Sequence, residues 1–371
     1  MLKPLFKYPG GKYDEYSNFS SMIPEKILNY HEPFAGSAGV FLRLKNEGRI
    51  TGDSYLNDIS VDLINFYSSL SNPDLGNELN KLNSARNVMS VLSSTISSEF
   101  GDVFVKKISG EDIEFPNEAL KQRIDEIISR DEVMSSINTG GTNISEFIYK
   151  SISDKAKRFS NKEITSNKED IAFIQLSTAI HQGFYFFVRN MYNDWLNHDT
   201  NKYSDTEKAS HWFFIREMCY GSMFRFSKEG KFNIPYGGFT YNKKDITKKI
   251  DAILSKEVRD AFSEGTHLSS LDFREAMNVD FHEDDFMFLD PPYDTTFSEY
   301  DRSSFGRKEH TDLRDVLKNV KCKWMLVIKN TEFIYGLYKD WANISSFDKT
   351  YQYHTRGEYD KNVEHLIITN Y

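Results

Sequence analysis

Phe286-Met287-Phe288-Leu289-Asp290-Pro291-Pro292-Tyr293 is the stretch on which the reading of this chain turns. Four consecutive apolar residues bounded by a turn signal read as a buried strand, closed here by an acid, two prolines and an aromatic ring. Proline fixes φ and has no N–H, so the loop after the strand is rigid and presents carbonyls. An Asp-Pro-Pro turn that merely ends a strand is the plain alternative. The chemical reading is more specific. The exocyclic amine of a nucleobase is a poor nucleophile because its lone pair is delocalised into the ring. The Asp290 carboxylate and the Pro291 carbonyl can hold its two hydrogens, which favours a tetrahedral nitrogen, and Tyr293 can stack on the ring.

Working outward, 27–34 reads as another strand, followed by the glycine-rich turn Ala35-Gly36-Ser37-Ala38-Gly39 and a helix beginning at Val40. Ser54–Asn57 reads as a short strand ending at Asp58, with a helix over 61–67. This β-α-β-α order predicts an α/β core. Gly36 and Gly39 suit a close approach of backbone to a ligand at a helix N-terminus, or simply a tight strand–helix turn. Asp58 stands where an acid in such a unit bonds ribose hydroxyls; a helix N-cap is its alternative role.

From about 73 to 168 the chain turns polar, with helical periodicity over 79–96 and 120–134 and a turn at Asn138-Thr139-Gly140-Gly141-Thr142. Helices are expected over 171–196 and 211–219, and a glycine-bounded extended segment over 230–238. Between Arg216 and Lys249 the bases Arg225, Lys228, Lys231, Lys243, Lys244 and Lys248 outnumber the acids, a candidate phosphate-contact face or an ordinary solvated one. Alternation of strand and helix then resumes. A helix is expected over 251–262, the Asp290 strand, a helix over 311–320 and a buried strand over 323–328. Two alternating strands near 346–353 and 363–369 form an antiparallel pair.

The 371 residues suffice for two domains. Hydrophobic content of 39% and charged content of 27% are those of a soluble globular chain. The net charge of −9 carries no overall basic signature for nucleic acid. The two cysteines, Cys219 and Cys322, suggest a reduced cytoplasm without a disulfide framework. The nine histidines show no metal-ligand spacing beside cysteines. There is no signal-peptide core at Met1-Leu2-Lys3-Pro4-Leu5-Phe6, and no apolar run reads as long enough to span a bilayer.

Taken in order, Phe6-Lys7-Tyr8-Pro9-Gly10-Gly11-Lys12, Glu32-Pro33-Phe34-Ala35-Gly36-Ser37-Ala38-Gly39-Val40-Phe41, Asn57-Asp58 and Asp290-Pro291-Pro292-Tyr293 resemble the motif set of the Dam-like (D12 class) DNA adenine-N6 methyltransferases. Tyr220-Gly221-Ser222-Met223-Phe224-Arg225-Phe226 with 230–237 is similar to the family's target-recognition region, and the likeness covers roughly two-thirds of the chain. Two features depart from the family pattern, the length of the polar region 73–168 and Ser227 where asparagine is common. Both bear on the DNA target and not on the chemistry.

The resemblance implies an α/β, Rossmann-like S-adenosylmethionine-dependent core, mostly parallel with a C-terminal antiparallel pair, over 1–70 and 251–371. A largely helical target-recognition domain is inserted over 71–250. It implies catalysis by Asp290, Pro291, Pro292 and Tyr293. The cofactor is implied to be held by Tyr8, Lys12, Pro33, Phe34, Gly36, Ser37, Gly39, Asp58, Asp272, Phe273 and Asp290. A strand-ending turn acid is the alternative role of Asp272. DNA contacts are implied at Tyr220, Met223, Arg225 and Lys231, with Arg225 able to donate bidentately to guanine and Phe232 and Tyr236 as core or hairpin support. The methyl acceptor is buried in stacked duplex, so the base must be flipped out. No metal is needed. The partners are double-stranded DNA and, as an open question, a cognate restriction endonuclease; monomer and dimer are both left open. The location is cytoplasmic, in a bacterium or from a phage. N4-cytosine methylation, a catalytically silent DNA-binding relative, and an RNA or protein methyltransferase are the competing readings. An acid at the first motif position favours adenine.

Overall fold

The computed structural model describes residues 1–111, 113–137, 143–159, 167–198, 202–294, 305–350 and 362–371. The chain divides into two compact units, one of residues 1–71 and 252–371 and one of residues 72–251.

In chain order the first unit contributes β1 (Tyr30–Glu32), α1 (Gly39–Glu47), β2 (Ser54–Asn57) and α2 (Val61–Ser69). The second holds α3 (Asp74–Ile108), α4 (Asn117–Arg130), α5 (Glu132–Ile137), α6 (Ile144–Phe159), α7 (Lys168–His198), α8 (Asp205–Met218) and α9 (Phe239–Asn242). After α10 (Thr247–Ile253) the first unit resumes with α11 (Lys256–Ala261), β3 (Thr266–Ser269), α12 (Phe273–Ala276), β4 (Phe286–Leu289) and α13 (Arg307–Leu317). It ends with β5 (Lys323–Lys329), α14 (Glu332–Tyr338), β6 (Asn343–Thr350) and β7 (Asn362–Thr369).

The seven strands form one sheet in the order β3-β2-β1-β4-β5-β7-β6. The first five are mutually parallel, as β1 with β2 and β4, β2 with β3, and β4 with β5. β7 runs antiparallel to both β5 and β6. The mostly parallel core with a C-terminal antiparallel pair is therefore as expected. The part of the pair expected over 351–353 and the turn at 138–142 lie outside the described residues. All four residues of β4 are buried, as befits a parallel strand covered on both faces. Met287, Leu289, Trp324, Leu326 and Ile328 pack with Leu313, Leu317, Ile334 and Tyr338 of α13 and α14. On the opposite face the ring of Phe19 stacks on Phe288 at 5.6 Å.

Several boundaries differ from the sequence reading. The stretch 251–262 is two helices, because Ser255 is extended (ψ 150°) and caps α11 by accepting from the Val258 N–H. The polar region is helical in nearly all its described residues, and α3 runs well beyond 79–96. Its narrow apolar stripe is diluted by Ser, Asn and Lys, which hides its length. The expectation that no apolar run is long enough for a bilayer also needs correction. Residues 169–197 of α7 pass that test by length and composition, but 67% of the most apolar window is buried inside the second unit. The apolar content is that of a core helix packed against α3, α6 and α8.

Gly183, in the middle of α7, shows how close that packing is. A Cβ there would lie 2.4 Å from the Ile148 Cα of α6, so only hydrogen fits between the two backbones. Glycine within a helix ordinarily costs roughly 0.5–1 kcal/mol relative to alanine, a cost the close approach explains. Gly183→Ala is therefore expected to lower the thermal unfolding midpoint, opposite to the helix-propensity effect; a raised midpoint would refute the packing argument.

Candidate functional site

β1 and β4 are neighbours, and the chain proceeds from β1 toward β2 on one side and from β4 toward β5 on the other. This reversal is the topological switch point, where open α/β sheets form a crevice at the carboxyl ends of their strands. The Pro33–Gly39 loop leaves β1 there, and the Asp290–Tyr293 loop leaves β4.

The N-terminal segment completes the site. Lys12 is 2% exposed, and its Nζ donates to the Gly10 carbonyl at 2.7 Å, Asp290 Oδ1 at 2.7 Å and the Tyr293 hydroxyl at 2.9 Å. The three bonds use all the donors of an ammonium. Lys12, placed from the sequence among the cofactor-pocket residues, is thus a buried lysine bonded to Asp290 and Tyr293. No donor among the described residues reaches the other Asp290 oxygen, Oδ2. Burial pushes the Asp290 carboxyl above the usual aspartate range, and the Lys12 charge opposes that rise. Pro291 is buried and Pro292 exposed. The buried His310 hydrogen-bonds the Pro292 backbone, which ties the loop to α13.

Around the glycine-rich turn the close neighbours belong to the chain itself. Gly36 has φ +47°, and a Cβ on it would lie 3.1 Å from the Tyr8 ring. A Cβ on Gly39 would lie 2.9 Å from the Tyr13 backbone nitrogen. The N-terminal segment therefore rests on the turn, which sequence spacing alone did not reveal. Ser37 is buried in the same turn. Asp58 accepts from the Gly36 N–H through Oδ2 and from the Ser60 N–H through Oδ1, both at 3.0 Å. It braces the turn, while Ser60 is the cap of α2. The Phe34 ring packs against Phe273 and Phe305, each at 5.6 Å. Asp272 caps α12 and pairs with Arg274 at 2.9 Å, its side chain 40% exposed.

Two further residues at these strand ends had no role assigned from the sequence. Asn57 donates to the Pro33 and Leu271 carbonyls and accepts from Ser269 Oγ and the Leu271 N–H. One side chain thus joins the carboxyl ends of β1, β2 and β3. Glu32 is 3% exposed, and its Oε2 has no hydrogen-bond partner among the described residues. Burial, and then the nearby Asp290 and Asp58 charges, push its carboxyl well above the usual range. Both stand inside the motif stretches quoted from the sequence, but nothing there distinguished their roles from that of a polar residue closing an apolar strand.

In the second unit, Tyr220–Tyr236 forms a ribbon with antiparallel bridges Cys219–Tyr236 and Phe226–Phe232. Phe232 and Tyr236 are buried, and Phe224, Phe226 and Phe232 pack on one another at 4.7–5.9 Å. Tyr220, Met223, Arg225 and Lys231 are all exposed. Arg225 Nε donates to Asn233 Oδ1 at 3.2 Å. The reading of 216–249 as one phosphate-contact face needs correction. Arg216 is 2% exposed with its guanidinium over the Phe224 ring, and Lys244 and Lys249 pair with the buried Glu217. Burying a carboxylate requires such partners, so those charges are committed internally. Among the described residues no group of three or more His, Cys, Asp or Glu side chains is arranged to hold a metal ion.

The family model described as "D12 class N6 adenine-specific DNA methyltransferase" matches residues 8–94 and 108–353. Type II methyltransferase M.CviBI of Paramecium bursaria Chlorella virus NC1A is 26% identical over 380 residues, covering 100% of both chains. Type II methyltransferase M.MjaIII of Methanocaldococcus jannaschii is 24% identical, covering 57% of this chain and 71% of its own. The retron Ec67 DNA adenine methylase of Escherichia coli is 28% identical, covering 43% of this chain and 52% of its own.

A carbon-13 titration of the Asp290 carboxyl tests the electrostatics directly. The carboxylate should protonate above the ordinary aspartate value of about 3.9. Lys12→Met, which removes the opposing charge, should move that midpoint further up; a downward shift would contradict the assigned balance.

Proposed function

The chain belongs to the D12 class N6 adenine-specific DNA methyltransferases, and from that premise we propose that Asp290, with Lys12 and Tyr293, forms the transfer site for a flipped-out adenine, with S-adenosylmethionine as donor. The activity itself, methylation of adenine N6 in DNA, follows from the family match over nearly the whole chain. Cytosine N4 and a silent DNA-binding role are accordingly set aside.

The observation that carries the site assignment is the division of labour on Asp290. Lys12 takes Oδ1 and leaves Oδ2 for a donor from outside the protein. In this reading Oδ2 accepts one N6 hydrogen and the Pro291 carbonyl accepts the other. The nitrogen lone pair is thereby drawn out of the ring. Tyr293 stacks on the base, its hydroxyl anchored by Lys12. A preorganised acceptor in a water-poor crevice needs no reorganisation during transfer.

The residues at the switch point suit a cofactor with amino and hydroxyl donors and a flat base. Glu32 Oε2 is a buried oxygen with no hydrogen-bond partner among the described residues, and the Phe34–Phe273 pair offers apolar surface. Tyr8, Pro33, Gly36, Ser37, Gly39, Asp58 and Asp272 would line the remainder. When bound, S-adenosylmethionine supplies an electrophilic sulfonium methyl. Its sulfonium group carries no metal requirement.

In the second unit the ribbon supports a DNA-contacting role. Its exposed side chains include two large apolar groups, Tyr220 and Met223, and three cations, Arg225, Lys228 and Lys231, set on a packed aromatic base. Arg225 would read guanine and Lys231 a phosphate, with Tyr220 and Met223 wedging where a base leaves the stack. A cognate restriction endonuclease fits the type II names of the relatives.

Labelled S-adenosylmethionine incubated with unmethylated duplex DNA should give N6-methyladenine by nucleoside mass spectrometry. Asp290→Ala should lower transfer by on the order of a thousandfold with little change in thermal midpoint; near-normal turnover would sink the mechanism. Arg225→Ala should relax discrimination at one position of the mapped site by about 1–3 kcal/mol and leave cofactor affinity intact. An unchanged sequence preference would remove Arg225 from base readout.

A further inference from the structure

We propose that His365, oriented by Glu15, is a positioning residue that fixes the ring plane of Tyr293. The inference rests on the reading that Tyr293 stacks on the target base.

Lys12 alone does not determine that plane. Its bond to the Tyr293 hydroxyl fixes one end of the side chain, and the backbone fixes the other. Both points lie on the axis about which a tyrosine ring turns, so neither resists rotation. A lateral contact is needed, and His365 supplies one. It meets the Tyr293 ring at 5.5 Å with an interplanar angle of 78°, an edge-to-face geometry that aromatic pairs favour. His365 is 0% exposed. Phe347 packs on it at 5.5 Å and 63°, and strand pairing fixes its backbone opposite Lys329 on one side and Phe347 on the other.

A carboxylate stands beside the imidazole, at ion-pair rather than hydrogen-bond distance. His365 Nδ1 stands 3.5 Å from Glu15 Oε2, and Glu15 pairs through its other oxygen with Lys349 of β6. Burial by itself would raise the Glu15 carboxyl, but His365, Lys12 and Lys349 outweigh it and hold it below the usual range. An apolar side chain at 365 would fill a sheet core with less desolvation cost, since buried ionic groups seldom add stability over hydrophobic packing. The set is therefore better explained by the orientation it imposes than by stability. Four segments distant in sequence, at 15, 293, 349 and 365, meet to impose it.

The test places 3-fluorotyrosine at Tyr293 and follows ring rotation by fluorine NMR, alongside single-turnover methylation of duplex DNA. The unaltered protein should show separate, slowly exchanging ring environments. In His365→Leu these should merge, and transfer should slow by roughly ten- to a hundredfold with S-adenosylmethionine affinity unchanged. Glu15→Gln, which keeps size and polarity, should shift both readouts in the same direction and serves if the first variant does not fold. Unmoved fluorine lines in the folded variants would overturn the inference while N6-methyladenine formation by the unaltered protein left the transfer site standing. Merged lines with an unchanged rate would overturn it as well, and would also remove Tyr293 stacking from the proposed function.

Discussion

A buried lysine holding a partly exposed aspartate is the interaction on which the site depends. Removing two charges from water costs several kcal/mol each even after relaxation. Lys12 is buried and Asp290 largely so, and each is the other's compensation. Burial still wins for Asp290, whose carboxyl sits above its usual range. A carboxylate poised this way is a stronger acceptor than a solvated one, provided its counter-charge remains in place. That condition binds residues 278 positions apart in the chain. It draws the N-terminal segment over the glycine-rich turn, and it explains why Gly36 and Gly39 have no room for a Cβ beside Tyr8 and Tyr13.

The sheet order then determines what else can reach this pair. Because β1 and β4 are adjacent and the chain departs from them in opposite directions, their two loops open onto one crevice. Asn57 keeps the neighbouring strand ends in register with that crevice through four hydrogen bonds. Asp58, one residue further, spends both oxygens on the turn and on the start of α2. An acid expected to face a ligand thus also has a bracing role, and the two are compatible because each carboxylate oxygen has two acceptor sites. On the far side of the motif loop, His310 secures the Pro292 backbone.

The second unit applies the same economy to its basic residues. Composition presents 216–249 as a positively charged stretch, but Arg216, Lys244 and Lys249 are spent on aromatic rings and on the buried Glu217. The cations that remain outward on the ribbon are Arg225, Lys228 and Lys231, beside the exposed Tyr220 and Met223. A protein with net charge −9 has weak general attraction for DNA as a whole.

Local signals were sufficient for β2 and β4, whose limits were legible residue for residue, because an apolar run closed by a turn signal needs no distant partner. The same holds for the motif order, from which family, activity and core architecture follow. Local signals failed where competition among distant groups decided the outcome. The break at Ser255 divides a helical pattern through a single capping hydroxyl, and the length of α3 is masked by a polar surface. Nothing in the sequence around Lys12 distinguishes a buried lysine from an exposed one, since burial depends on where Asp290 and Tyr293 arrive. Nothing around His365 or Glu15 announces that they meet. The sequence by itself therefore determined the chemistry, through residue types whose reactivity is intrinsic. Only the tertiary structure decided which of those groups are desolvated, paired and held at a fixed angle, because those properties belong to contacts between segments that no local pattern encodes.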